Sequence, residues 1–212
     1  EGLICCRKPH LLVAAGGVGK TNMTLELGMR VAKAAITGVD QKFLGLKIPG
    51  GRAGNVVIFT AEDDEEDVNN RLYNLFQKSG SMEGEHALYT VPMMNAGGVF
   101  NLAEKERGTD NTITSRAWTH WQEKIAEIPN VRLVIIDTLS ATMHADENSS
   151  LVAKEWFREL APILEKLGAA VVVTHHVRKP DAKHPIKTEE DMRAATRGSG
   201  NLVNSFRATI GI

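Results

Sequence analysis

The chain is poor in cysteine, has no charge bias, and contains no long apolar run. Its 212 residues hold two cysteines, the adjacent Cys5 and Cys6. An adjacent pair offers neither a disulfide framework nor metal-ligand spacing, so a reducing, cytoplasmic setting is the expectation. Lys and Arg total 25 against 26 Asp and Glu, a formal net charge of −1. No global field attracts nucleic acid, and any surface for it has to be local. No apolar stretch approaches the roughly 20 residues of a membrane helix, no segment reads as a secretory leader, and no membrane partner is expected. Repeats and low-complexity tracts are absent as well. With 42% hydrophobic and 24% charged residues, 1–212 reads as one globular domain. The chain opens on Glu1 rather than Met and closes on a strand-like run, so a piece of a longer protein is expected.

What is there is an alternation of β-branched apolar runs with amphipathic ones, the pattern of an α/β fold with a mostly parallel sheet flanked by helices. Strands are predicted over Leu11–Ala15, Asn55–Ala61, Ala87–Pro92, Val131–Asp137, Ala169–His175 and Arg207–Ile212. Helices are predicted over Lys20–Ala35, Asp64–Ser79, Thr114–Glu127 and Val152–Leu167, with Pro162 kinking the last or marking a boundary in it. Lys47–Gly54 reads as a turn-rich loop, Asn95–Asp110 as an exposed insertion, and Arg178–Thr196 as a long polar loop.

The most informative segment is Ala14-Ala15-Gly16-Gly17-Val18-Gly19-Lys20-Thr21, between the first strand and the first helix. Strand, glycine-rich turn, Gly-Lys-Thr and helix form the cradle of a nucleotide triphosphate. Glycines let backbone N–H groups face phosphate oxygens, and the helix N-terminus adds partial positive charge. Lys20 can reach the β- and γ-phosphates, and the Thr21 hydroxyl can ligate Mg²⁺. Gly16, Gly17, Val18, Gly19, Lys20 and Thr21 are therefore candidate ATP contacts. Ala14 stands where the full pattern asks for another glycine.

Three further strands end in polar groups. Val131–Asp137 places Asp137 where α/β folds put ligands, opposite Thr21, as a second Mg²⁺ partner. Asn55–Ala61 leads into Glu62, a candidate base for the water that attacks the γ-phosphate, and Asp63 to Asp67 read as helix-start acids. Ala169–His175 runs into His176, and either histidine could touch the γ-phosphate; without companions at metal spacing, the pair does not read as a zinc site. The stretch Arg193–Arg207 places two arginines, Arg197 and Arg207, around a Gly-flanked helix, where an arginine at a subunit interface could stabilise a transferring phosphoryl group.

Together these stretches resemble the RecA-like ATPases, and more closely the RepA-type hexameric replicative helicases of plasmids, phages and other mobile elements. The carriers are Val13–Thr21, Phe43–Gly45, Val57–Asp63 with Asn70–Leu72, Leu133–Leu139, Asp146–Ser149, Thr174–His176 and Thr196–Ser199. The resemblance implies a RecA-like P-loop NTPase core. It implies that Lys20 and Thr21 bind phosphate and Mg²⁺, that Glu62 is the general base, and that His176 rather than His175 senses the γ-phosphate. It makes Arg197, with Arg207 as a second candidate, a finger supplied to the neighbouring subunit of a hexamer. It places single-stranded DNA on the basic segment through Arg178, Lys179, Lys183, Lys187 and Arg193, and it implies replication partners such as a primase or an origin-binding factor. Two other readings of the residues stay open: a recombination or regulatory ATPase that binds DNA without unwinding it, and a nucleotide-gated assembly module without turnover. A small-molecule P-loop kinase is disfavoured, because no lid or acceptor pocket is legible.

Overall fold

The structure is a computed structural model and describes residues 3–79, 87–109, 111–178, 186–196 and 200–211. In chain order its elements are β1 (Pro9–Ala14), α1 (Lys20–Thr37), β2 (Gln41–Phe43), β3 (Leu46–Ile48), β4 (Asn55–Thr60), α2 (Glu65–Ser79), β5 (Leu88–Pro92), β6 (Ala103–Lys105) and β7 (Thr112–Thr114). Then follow α3 (Arg116–Glu127), β8 (Val131–Asp137), α4 (Ser150–Arg158), β9 (Ala170–His176), α5 (Glu189–Ala195), α6 (Gly200–Asn204) and β10 (Ala208–Gly211). Six strands form one parallel sheet in the order β10-β1-β9-β8-β4-β5.

Alternate residues of each central strand enter opposite cores. Leu11, Val13, Val57, Phe59, Val134, Ile136, Val171 and Val173 pack on one face with Trp118 and Trp156 of α3 and α4. Leu12, Val56, Ile58, Leu133, Ile135 and Val172 pack on the other with Leu25, Leu27 and Ala32 of α1 and Val68 of α2. A strand buried on both faces needs an unbroken apolar run, which is why these strands are the easiest to find in the sequence.

The helices follow their local signals. Ser115 and Ser149 accept N-terminal hydrogen bonds from the Trp118 and Val152 amides. Gly38 ends α1 in the left-handed region, at φ 67°. Pro162 is a boundary rather than a kink: α4 stops at Arg158, and Pro162 opens a separate turn of π-helix to Lys166.

Three expectations are corrected. The Lys47–Gly54 loop begins inside a hairpin, β2–β3, whose two-residue turn puts Leu44 at φ 50° and Gly45 at φ 76°. The Asn95–Asp110 insertion is not simply exposed. Phe100 sits against Phe59 and Trp118, and Leu102 is buried and bonds Thr142 through its amide. Isolated apolar residues among glycines carry no period, so the sequence does not announce them. The Arg178–Thr196 loop contains α5, begun by a reciprocal cap between Thr188 and Asp191.

Gly54 shows how tightly β4 and β8 begin together. A Cβ there would lie 2.3 Å from the Asn130 carbonyl oxygen and 2.5 Å from Arg132 Cγ, whereas one at Gly51 meets nothing within 4 Å. Gly54→Ala should destabilise the fold by about 1–3 kcal/mol, the usual range for overpacking. Gly51→Ala should stay within about 0.5 kcal/mol. Urea midpoints at unchanged m-value measure both, and equal midpoints would refute the close approach.

Candidate nucleotide site

Parallel pairing gathers the site. Ala14 is level with His176 across β1 and β9, and Thr60 with Asp137 across β4 and β8. The turn after β1, the acids after β4 and β8, and the end of β9 therefore meet at one sheet edge, where parallel sheets hold ligands. The turn itself uses left-handed backbone at Gly17 (φ 79°) and Gly19 (φ 95°), and no atom crowds the Cβ positions of Gly16, Gly17 or Gly19. Gly19 caps α1 without a side chain, and the first turn of α1 carries no acid. Its amides and dipole are thus available to an anion. Ala14 is fully buried as the last strand residue, its carbonyl accepting from the Val177 amide. That position asks for a strand residue here, so alanine serves where the sequence pattern asks for glycine. Val18, at the tip of the turn, is 54% exposed.

Asp137 is 2% exposed and accepts two side-chain hydrogen bonds, from Thr21 Oγ1 at 2.7 Å and from Thr174 Oγ1. Burial pushes its carboxyl above the usual carboxylate range, the two hydroxyls pull it back, and the charges of Glu62 and Asp63 push it further up. Thr21 and Asp137 offer adjacent hard oxygen donors, which fits Mg²⁺, and they would hold it there. Thr174 is a member of the candidate site that the strand reading did not single out for a role, because a threonine ending a β-branched run looks like one more strand residue.

Lys20 is buried and folds back on the loop. Its Nζ donates to the Ala15 carbonyl at 3.0 Å and to His176 Nδ1 at 3.1 Å. Burial lowers its ammonium below the ordinary lysine value, against the raising effect of Asp137 and Glu62. An ammonium can only donate, so His176 Nδ1 accepts and its Nε2 carries the proton. That proton faces Glu62 Oε1 at 3.3 Å. Lys20, His176 and Glu62 thus form one hydrogen-bonded chain across the mouth of the loop. His175 points elsewhere: it is fully buried, with Nε2 3.8 Å from Glu147 Oε2.

The remaining predicted residues divide. Arg197, Lys179 and Lys183 lie outside the described residues. Arg178 donates its amide to the Ala195 carbonyl, and Val177 bridges Thr196, so both ends of the basic segment are tied to the end of β9. Lys187 is exposed, and Arg193 donates to Asn204 Oδ1. Arg207 bonds Pro9 at the start of β1, the end of the strand away from the phosphate turn. Six residues of strand separate it from that turn, about 20 Å at ~3.3 Å each, so it does not reach its own chain's phosphate loop.

A family model described as AAA domain matches residues 1–182, and the chain belongs to that family. The six-stranded sheet is accordingly a P-loop NTPase core, and the chain an ATPase of the P-loop class. No described helix is long and apolar enough to cross a membrane.

Asp137 has to be ionised to hold a cation. Because its carboxyl titrates above the usual range, Mg²⁺-dependent nucleotide affinity should fall as the pH drops through that raised value. Thr174→Val removes a hydrogen bond to the charged form, so the fall should move to higher pH, with Mg²⁺ affinity about 10-fold weaker. Calorimetric titrations of Mg²⁺ and nucleotide across the acidic-to-neutral range measure this. An unmoved pH profile would show that Thr174 does not act on the carboxylate.

Proposed function

We propose that this chain hydrolyses ATP to move single-stranded DNA through an oligomeric, RepA-like helicase ring during replication. The observation that carries the reading is the placement of His176. It sits between Lys20 and Glu62, and two residues later the chain enters the basic segment whose ends are both tied to β9. A phosphate that takes Lys20 from His176 moves a side chain next to the root of that segment.

In this mechanism the Gly16–Gly19 turn and Lys20 bind the phosphates. Mg²⁺, when held by Thr21 and Asp137, neutralises phosphate charge. Glu62 takes a proton from the attacking water, and His176 orients Glu62 through Nε2 until the γ-phosphate competes for its ring. Arg197, or Arg207 as the alternative, completes the site of the neighbouring subunit. The position of Arg207 a strand's length from its own loop agrees with a role in trans. Arg178, Lys179, Lys183, Lys187 and Arg193 contact the DNA backbone, and a primase or origin-binding factor would load the ring.

Glu62→Gln should bind ATP and lose turnover by a factor on the order of 10²–10⁴. The wild type should displace an annealed strand in an ATP-dependent way, whereas DNA-stimulated turnover without displacement would favour a recombination-type ATPase. The absence of both DNA stimulation and strand displacement would refute the reading.

Complementation tests the shared site. Arg197→Ala should keep ATP binding and lose hydrolysis by roughly 10³-fold or more. Mixing it with Lys20→Ala subunits should restore part of the turnover, because an intact pocket can then face an intact arginine. No rescue in mixed oligomers of verified composition would defeat a finger in trans.

A further inference from the structure

Glu62 has little holding its own side chain. The side chain is 54% exposed, and among the described residues its hydrogen bond is the one to His176. Its placement must come from the backbone on either side. Before it, the Ala61 amide donates to the Asp137 carbonyl at 2.6 Å, which fixes that residue to β8. After it stands Asp63, with a side chain only 12% exposed.

Asp63 is held from α2. Arg71 Nε lies 2.7 Å from Asp63 Oδ2 as an ion contact, and Arg71 Nη2 donates to Asp63 Oδ1 at 3.2 Å. The remaining arm, Nη1, donates to Asn22 Oδ1 at 3.0 Å. Asn22 follows Thr21 on α1. One guanidinium therefore grips the residue after the candidate base and the residue after the candidate Mg²⁺ ligand. These two segments are 41 residues apart in sequence, and they have to hold a fixed geometry across the γ-phosphate. The base of α2 is pinned as well: Asp64 accepts from the Asp67 amide, and Asn95 accepts from the Glu65 amide. Arg71 thus acts from a helix whose start cannot slide.

We propose that Arg71 is a positioning residue: by holding Asp63 and Asn22 together it sets Glu62 against the phosphate turn. The inference rests on Glu62 being the hydrolytic carboxylate. An ordinary exposed ion pair contributes little to stability and nothing to chemistry. A clamp that fixes a reacting group does the reverse, because a misplacement of about 1 Å can cost 10²-fold in rate. The planar guanidinium also matters, because its rigid fork presents separate N–H groups to the two partners.

Steady-state ATPase measurements on a small variant set test this. Arg71→Ala should lose about 10²-fold in kcat, with KM for ATP within about threefold of wild type and a cooperative unfolding transition retained. Arg71→Lys should fall between the two. In a Glu62→Gln background, Arg71→Ala should cost nothing further, because it acts through the carboxylate already removed. If Arg71→Ala fails to fold, the isosteric Asp63→Asn carries the same test. Wild-type kcat in Arg71→Ala overturns the proposal. So does a loss of equal size in both backgrounds, which would mean direct action on the nucleotide. A silent Glu62→Gln has its own signature: the choice of base is wrong, and the positioning role falls with it.

Discussion

The buried carboxylate of Asp137 is the point on which the site turns. It lies at the dry end of a strand with parallel neighbours on both sides, where an unpaired charge is costly. Thr174 holds it from β9 and Thr21 from α1, while its own carbonyl takes the Ala61 amide from the end of β4. One residue thus sets the spacing between the phosphate turn, the loop of the candidate base and the end of β9. Parallel register does the rest, because strands that run together also end together.

This accounts for what could be read from the sequence and what could not. A strand buried on both faces, ending in one carboxylate and preceded by a Gly-Lys-Thr turn, leaves almost no freedom in where that carboxylate goes. The positions of Lys20, Thr21, Glu62, Asp137 and His176 were legible for that reason. Contacts between side chains on separate elements were not. Arg71 stands out within Asn70–Leu72 as part of the resemblance, but what it holds shows only once α2 is laid beside α1. Thr174 is a β-branched strand residue by every local measure. The β2–β3 hairpin rests on Leu44 and Gly45 both adopting positive φ, and only Gly45 signals that in the sequence. Phe100 and Leu102 enter the core singly, and an isolated apolar residue has no period to detect. The Thr188–Asp191 cap was written in the sequence but lay inside a stretch whose prolines and lysines suggested a loop throughout.

The contacts of the site fall into two kinds, and the difference bears on how a nucleotide could do work here. Thr21–Asp137–Thr174 and Asp63–Arg71–Asn22 tie one element to another, and they define the frame. Lys20–His176 and His176–Glu62 join groups that a γ-phosphate would claim for itself. A ligand shifts an equilibrium only through interactions that differ between the two states. On the proposed reading, the Lys20–His176–Glu62 chain, rather than the frame, is what a bound phosphate would disturb. Its middle member is His176, at the strand end to which both ends of the basic segment are tied. Val177 alone stands between His176 and the start of that segment, so on the proposed reading a displaced His176 ring would act next to its root.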